Sequence, residues 1–362
     1  MATISDVAAY AGVGVGTVSR VLNKSTKVAE PTRSRVLAAI EVLDYRPSPL
    51  ARGLSSGRSH TLGLLVPFFT HASAIERLRG VVAGLHNSHY DLVLFDVESP
   101  MQRDEHFAAL TRRDRADGLL VMSLPPPAVE LARMVSAGVP VVLVDARGAG
   151  VAMVVTDDVE GGRIATRHLV ELGHERIAFM GEPPDNPFGF SSSALREQGY
   201  REVLDANGVP RDARLVAYGA HDREMARRLA TKWLTARDRP TAVFASSDVQ
   251  ATGILAAAGD SGLRVPDDLS VVGFDDIEIS SYVGLTTVRQ PLFESGRIGV
   301  ELLLSALEVD RSRKPTRATK NQRPWSPPGP HGEVPEPIVR ELPLELVLRT
   351  TTARLEQRTV GV

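Results

Sequence analysis

Two hydroxyls, a guanidinium and an amide lie within seven positions near the start of the chain: Thr17, Ser19, Arg20 and Asn23. At helical spacing they share an outward face with Gly16, and such groups hydrogen-bond phosphates and base edges. A second set of candidate residues follows apolar runs much further along. It comprises Phe68 and His71 of the 68–71 turn, Ser123, Asp145, the 186–191 stretch, Arg196, Ser247 with Asp248, and Asp275 with Asp276. Arg196 near Asp275 would grip a hydroxylated or acidic ligand bidentately; Asp248 is also suited simply to cap a helix. Aspartates at strand ends are able to act as acid and base. Yet no nucleophile–base pair, phosphate loop or metal-ligand spacing accompanies them, which argues against catalysis.

The elements that must position the first set are short helices. Thr3 caps a first helix with Asp6 at its third position, and Val7, Ala8 and Ala11 form its inner stripe. Gly12 sits where the chain reverses with positive φ. A second helix from Val15 turns Val18, Val21 and Leu22 inward, which makes a helix-turn-helix whose second helix is the candidate major-groove reader. A third helix is predicted over residues 30–44, with Pro31 at its first position and Val36, Ile40 and Leu43 on one face. Its cap position holds Ala29, which weakens that start by about 1 kcal/mol. Arg33 and Arg35 sit there against the helix dipole, a poor place for cations unless phosphates approach. Residues 45–57 then read either as a plain linker or as a segment that folds only against DNA. In the second reading Ser48 and Pro49 start one or two helical turns and Leu54 is an apolar wedge in the minor groove.

From His60 the texture changes to apolar strands alternating with amphipathic helices, about ten strands in all. Continuous Val/Leu/Ile strands mean parallel sheets covered on both faces. That many strands fits two doubly wound α/β subdomains, with ligands bound outside the strand carboxyl ends, between the lobes. The last predicted strand covers residues 344–349. Residues 311–337 stand apart, with seven prolines, two glycines and six Lys/Arg around Trp325. Such a stretch cannot build a core and reads as a disordered insertion.

Charge supports this division. Residues 1–60 hold eight Lys/Arg against four Asp/Glu, leaving 34 against 40 in the remainder. A small basic module on an acidic body suits a chain that presents one end to a polyanion. With no cysteine among 362 residues, disulfide and thiolate chemistry are excluded. No run of eighteen apolar residues is present, so no membrane partner is expected. The first residues lack a basic-then-apolar leader, so a cytoplasmic, nucleoid-associated protein is expected rather than a secreted solute trap.

Several blocks in order, TISDVAAYAGVGVGTVSRVLN, VLAAIEVLDYRPSPLARGL, RHLVELGHERIAF, LREQGYREVL, RPTAVFASSD, RVPDDLSVVGFDD and TTVRQPLFESGR, resemble the lactose-repressor (LacI/GalR-type) family of bacterial transcription regulators. The likeness runs from Thr3 to about Arg354. It implies an all-α helix-turn-helix headpiece (1–46), a hinge helix or linker (47–59) and a periplasmic-binding-protein-like core. The core's first subdomain would comprise 60–157 and 288–310, and its second 158–287 and 338–354. The implied function is a dimeric, effector-controlled repressor of a pseudopalindromic DNA operator, without cofactor or metal, answering to a sugar-like small molecule. Position by position, it implies base reading by Val15, Gly16 and Arg20, and phosphate contacts from Thr3, Thr17, Ser19, Asn23 and Thr32. Leu54, with Ala51 beside it, matches the minor-groove hinge. Asp145, Arg196, Ser247 and Asp275 match effector contacts, with Phe68, His71 and Ser123 near them. Gly14 and Gly16 depart from the pattern at the head of the reading helix, as does Ser247, where Asn is common. The 311–337 stretch is longer than the usual connector. No leucine heptad follows Arg354, so a dimer is expected rather than a tetramer.

Overall fold

The computed structural model describes residues 2–22, 25–45, 59–111, 115–312 and 337–355. The chain divides into two compact units, Met1–His60 and Thr61–Val362.

The first unit holds α1 (Ile4–Ala11), α2 (Val15–Leu22) and α3 (Glu30–Val42). Thr3 and Asp6 form a complete capping box: the Thr3 N–H and hydroxyl donate to Asp6 Oδ2 at 2.8 Å, and the Asp6 N–H donates back to Thr3 Oγ1 at 3.3 Å. Gly12 adopts φ 63°, and the Val13 N–H reaches back to the Ala8 carbonyl. Helix α3 closes in the same manner. Asp44 takes φ 42° and the Tyr45 N–H bonds the Ile40 carbonyl, so this helix stops at Val42, short of the predicted Asp44. Its start has no side-chain cap, as Ala29 predicts. Arg33 has partners within the headpiece: its guanidinium donates to the Ser25 carbonyl at 2.6 Å and lies 3.4 Å from Glu30. Val7, Ala8, Ala11, Val18, Val21, Val36, Ala39 and Tyr45 make the core.

Gly16 is the second residue of α2, on its exposed side, and a Cβ added there would meet nothing within 4 Å. Gly16→Ala should therefore raise the headpiece's stability by about 0.5–1 kcal/mol, read from thermal unfolding of a residue 1–60 fragment. An unchanged or lower midpoint would contradict that placement.

The second unit opens with β1 (Thr61–Pro67), α4 (Ala72–Gly84), β2 (Asp91–Val97), α5 (Pro100–Ala109), β3 (Gly118–Met122), α6 (Ala128–Ser136), β4 (Val141–Val144) and β5 (Ala152–Val155). It continues with α7 (Asp158–Glu171), β6 (Ile177–Gly181), α8 (Ser192–Ala206), a 3-10 turn (Ala213–Leu215), β7 (Val216–Tyr218), α9 (Arg223–Leu234), β8 (Ala242–Ala245) and α10 (Asp248–Asp260). Then come β9 (Ser270–Asp275), α11 (Glu278–Tyr282), β10 (Thr286–Arg289), α12 (Leu292–Ser312), β11 (Val339–Glu341) and β12 (Glu345–Val347). These strands form two six-stranded sheets, ordered β11-β5-β4-β3-β1-β2 and β12-β10-β9-β8-β6-β7. Every pairing is parallel except β10 with β12. Strands β3, β4, β6, β8 and β9 are buried along their whole length, which is why they read as unbroken apolar runs.

The chain passes between the sheets three times: from β5 to α7, from β10 to α12, and from β11 to β12. Two expected boundaries shift accordingly. Strand β10 lies wholly in the second sheet, so that lobe runs past residue 287 to Arg289. Residues 338–354 are divided, because β11 extends the edge of the first sheet beside β5 while β12 joins the second. Strand β11 is only three residues long and exposed at each of them, so no apolar run announces it; Pro343 then separates it from β12. Helix α12 continues to Ser312, into the start of the proline-rich 311–337 stretch. Most of that stretch lies outside the described residues.

Four helical glycines set the helix spacing beneath the sheet ends. A Cβ on Gly162 of α7 would lie 2.1 Å from the Arg196 carbonyl, and one on Gly199 of α8 would lie 2.0 Å from the Val159 carbonyl. In the first lobe, a Cβ on Gly80 of α4 would lie 1.9 Å from the Phe293 carbonyl, and one on Gly296 of α12 would lie 2.0 Å from that of Arg77. Each lobe thus crosses two helices backbone to backbone, and each crossing fixes one buried arginine.

Candidate functional site

A cavity of about 670 Å³ opens between the two sheets, at the carboxyl ends of their strands. All seven residues expected to contact a small molecule line it: Phe68, His71, Ser123, Asp145, Arg196, Ser247 and Asp275. Four of them have positive φ, at 48° (Phe68), 51° (Ser123), 55° (Asp145) and 117° (Asp275). Each stands at or just past the last residue of a strand, so the backbone turns sharply there and points side chains over the sheet end. Non-glycine residues in this region cost about 1–3 kcal/mol each and cluster at ligand clamps.

The polar part of the cavity is a paired network. Arg77 of α4 lies 2.9 Å from Asp145 and donates to Gln290 Oε1 at 3.2 Å. Gln290 in turn donates to Asp275 at 2.6 Å, and Ser123 donates to Asp145 at 2.8 Å. Arg196 of α8 donates from Nε to Asp158 at 2.8 Å and from Nη1 to the Ser246 carbonyl at 2.6 Å, while its guanidinium sits 3.6 Å above the Phe274 ring. Its distance to Asp275 is 3.9 Å, close enough for attraction but longer than a hydrogen bond. Arg196 thus lies near Asp275, as expected, but its closest carboxylate partner is Asp158. Burial lifts the Asp158 carboxyl to about 6 against the pull of Arg196, and raises that of Asp275 as well. Burial works against the Arg196 charge, but Asp158, Asp275 and Asp145 outweigh it and hold the guanidinium more firmly protonated.

The rest of the lining is aromatic. Phe188 and Phe190 stack at 5.1 Å with an interplanar angle of 1°, and Phe68 meets Phe188 edge-on at 5.3 Å. His71 stacks between Phe68 at 5.2 Å and His221 at 5.0 Å, and His221 Nδ1 lies 3.2 Å from Glu182. Burial, with His221 adding, lowers the His71 pKa. Burial alone would raise Glu182, but the hydrogen bond and charge of His221 more than offset it and leave it low.

Two parts of the chain match known family models: bacterial regulatory proteins of the lacI family over residues 3–48, and a periplasmic binding protein-like domain over residues 166–325. The HTH-type transcriptional repressor PurR of Photobacterium profundum is 33% identical over 317 residues, covering 85% of this chain and 92% of that protein. The chain belongs to the LacI family of bacterial regulatory proteins. Among solved structures, the Lac repressor dimer bound to operator and the anti-inducer ONPF superposes with a TM-score of 0.78 at 27% identity, over 97% of this chain and 99% of that one. The complex of the transcriptional regulator CelR with cellobiose gives 0.65 at 31% identity, over 97% and 100%. The helix-turn-helix and the two-sheet core are thus those of a LacI-type transcriptional repressor with an effector-binding core, and the chain is a regulator rather than an enzyme.

Within this LacI-family core, the details sort the sequence-derived candidates. Ser247 lines the cavity, yet its hydroxyl accepts from the Gln250 N–H as the cap of α10. Asp248, suited on sequence to be that cap, is instead fully buried and bonded to the Ile277 N–H, Ser280 and Thr287; burial lifts it to about 7. Asp276 turns away to Arg289 and Arg349. Sequence reasoning missed Arg77, Asp158, Glu182, His221 and Gln290, all of which line the cavity. Arg77 and Gln290 carried one signal: each stands next to a small-residue helix crossing or a strand end.

On the headpiece, Val15, Gly16 and Arg20 are exposed along α2, and Thr17, Ser19 and Thr32 are half-buried. The Thr3 hydroxyl is engaged in its capping box, so a phosphate would compete with Asp6 for it. Asn23, Ala51 and Leu54 lie outside the described residues.

Proposed function

We propose that this chain is a dimeric repressor that binds a pseudopalindromic operator and releases or tightens it when a small hydroxylated, sugar-like effector occupies the interlobe cavity. One observation carries the reading: seven residues scattered over more than two hundred positions converge on a single cavity between two lobes. Hydroxyls both donate and accept. A polyol therefore suits a wall where Arg77 and Arg196 alternate with Asp145, Asp158 and Asp275, and the aromatic stack offers its apolar ring face a partner. The cellobiose held by the related CelR supports that class. Effector binding would alter lobe orientation and thereby the ordering of the hinge around Ala51 and Leu54; coupling of about 1–3 kcal/mol is usual for such linkage. The protein acts on DNA in the cytoplasm, at the nucleoid, with two headpieces reading successive major grooves about a twofold axis.

In this reading Arg20 is the main hydrogen-bonding base reader, beside the side-chain-poor pair Val15 and Gly16. Thr17, Ser19, Asn23, Thr32 and Thr3 hold phosphates. Arg20→Ala should weaken a selected operator by about 1–3 kcal/mol, roughly 5–150-fold, in fluorescence anisotropy at fixed salt. Binding to a scrambled duplex should fall far less. Equal losses on both duplexes would make Arg20 a phosphate contact and sink the assignment.

A further inference from the structure

The loop between β6 and α8 belongs by chain order to the second lobe, yet two of its side chains, Phe188 and Phe190, pack in the first. Phe188 is 9% exposed and joins the apolar cluster of Leu65, Val97, Phe107 and Leu124, all first-lobe residues, while Phe190 rests against the same cluster. From the first lobe, Arg103 of α5 donates Nη1 to the carbonyls of both Pro187 and Phe188 at 3.2 Å. Its Nε is taken by Asp104 at 2.9 Å, which steadies the guanidinium in that pose. The loop arrives already shaped. Asn186 donates to the Phe190 carbonyl at 2.7 Å and accepts from its N–H at 2.8 Å, and Gly189 completes the turn at φ 78°.

We infer that the 186–190 turn is a clasp, a plug from the second lobe seated in the first and latched by Arg103, that holds the lobes together over the cavity and must release for them to part. The three crossovers join the lobes covalently but leave them able to rotate about those strands. A buried phenyl ring and two charge-assisted hydrogen bonds to carbonyls oppose that rotation directly. Because Phe188 also lines the cavity, the same ring that locks the lobes forms part of its wall. Its meaning for regulation rests on the cavity being the effector site; the mechanical claim does not.

The test uses the full chain without effector. The sequence has no cysteine, so two introduced cysteines take spin labels uniquely. Val129→Cys on α6 and Glu224→Cys on α9 are exposed positions in the two lobes. Electron–electron distance measurements, diluted with unlabelled chain, report the lobe separation. The clasp predicts one narrow distribution in the parent. Arg103→Ala and Phe188→Ala should each add a population several ångströms longer, and Arg103→Lys, which keeps one donor, should add a smaller one. Arg79→Ala, whose ion pair with Glu76 stays within one helix, should add none. If Phe188→Ala fails to fold, Arg103→Ala decides alone, since that side chain is partly exposed and outside the core. Superimposable distributions for Arg103→Ala and the parent would overturn the clasp while leaving the effector reading to its own tests.

Discussion

Replacing Arg196 with methionine should destabilise the core by about 3–5 kcal/mol at pH 8, the cost of breaking a buried pair by removing one partner. The side chain is 7% exposed and serves Asp158, the Ser246 carbonyl, the Phe274 ring and, more distantly, Asp275. Without it Asp158 stays buried near the Asp145 charge with only the weaker pull of Arg77, and Asp275 loses its largest counter-charge. The loss should shrink as pH falls. A carboxyl whose folded pKa lies above its unfolded value binds a proton in the folded state first, so its contribution weakens as pH rises and recovers as pH drops. Burial already places Asp158 near 6, and removing the arginine raises it further. Urea unfolding at pH 8 and at pH 5.5 should therefore show a smaller gap from wild type at the lower value. A constant gap would mean that Asp158 does not take up that proton.

Gly162→Val should be comparably damaging, by about 3 kcal/mol or somewhat more, at the upper end for overpacking. Its Cβ would lie 2.1 Å from the Arg196 carbonyl and 3.0 Å from the Arg196 Cα, so helix α8 must back away and take Arg196 with it. The contrast is Gly259, exposed on α10, where an added Cβ meets nothing within 4 Å. Gly259→Ala should gain up to about 1 kcal/mol from helix propensity alone. Calorimetry of both variants separates the effects: a large drop for the first, a small rise for the second. A tolerated Gly162→Val would show that the α7–α8 crossing does not fix the arginine.

These expectations also mark what the sequence made legible. The unbroken apolar runs of β3, β4 and β9 announced parallel strands, and from parallel strands it follows that Ser123, Asp145 and Asp275 stand at a shared rim. The first helix of the headpiece was equally plain, because Thr3, Asp6 and Gly12 act through bonds within three to five residues. What failed to show depends on distant partners. Arg77 sits in a helix position that suits a solvated arginine equally well, and it is the close crossing with α12, at Gly296 more than two hundred residues away, that holds it in the cavity wall. Phe188 lies in the 186–191 stretch, which the sequence offers as a site candidate without showing that its ring is buried, and that burial is supplied by the other lobe. Ser247 and Asp248 are adjacent residues, each suited to cap α10. Pairing with Ser280 and Thr287, neither near in sequence, takes the aspartate out of that role.

Regulation of this kind requires that one small molecule bind the core and change DNA affinity in the same protein. Selection from random duplexes should yield a twofold-symmetric site, and a thermal-shift screen of mono- and disaccharides should yield a stabilising compound. At 100 times its Kd that compound should add about 2.7 kcal/mol to stability. In anisotropy titrations at fixed salt it should shift affinity for the selected site by roughly 5–150-fold. A compound that stabilises the core yet leaves operator affinity unchanged would contradict effector control.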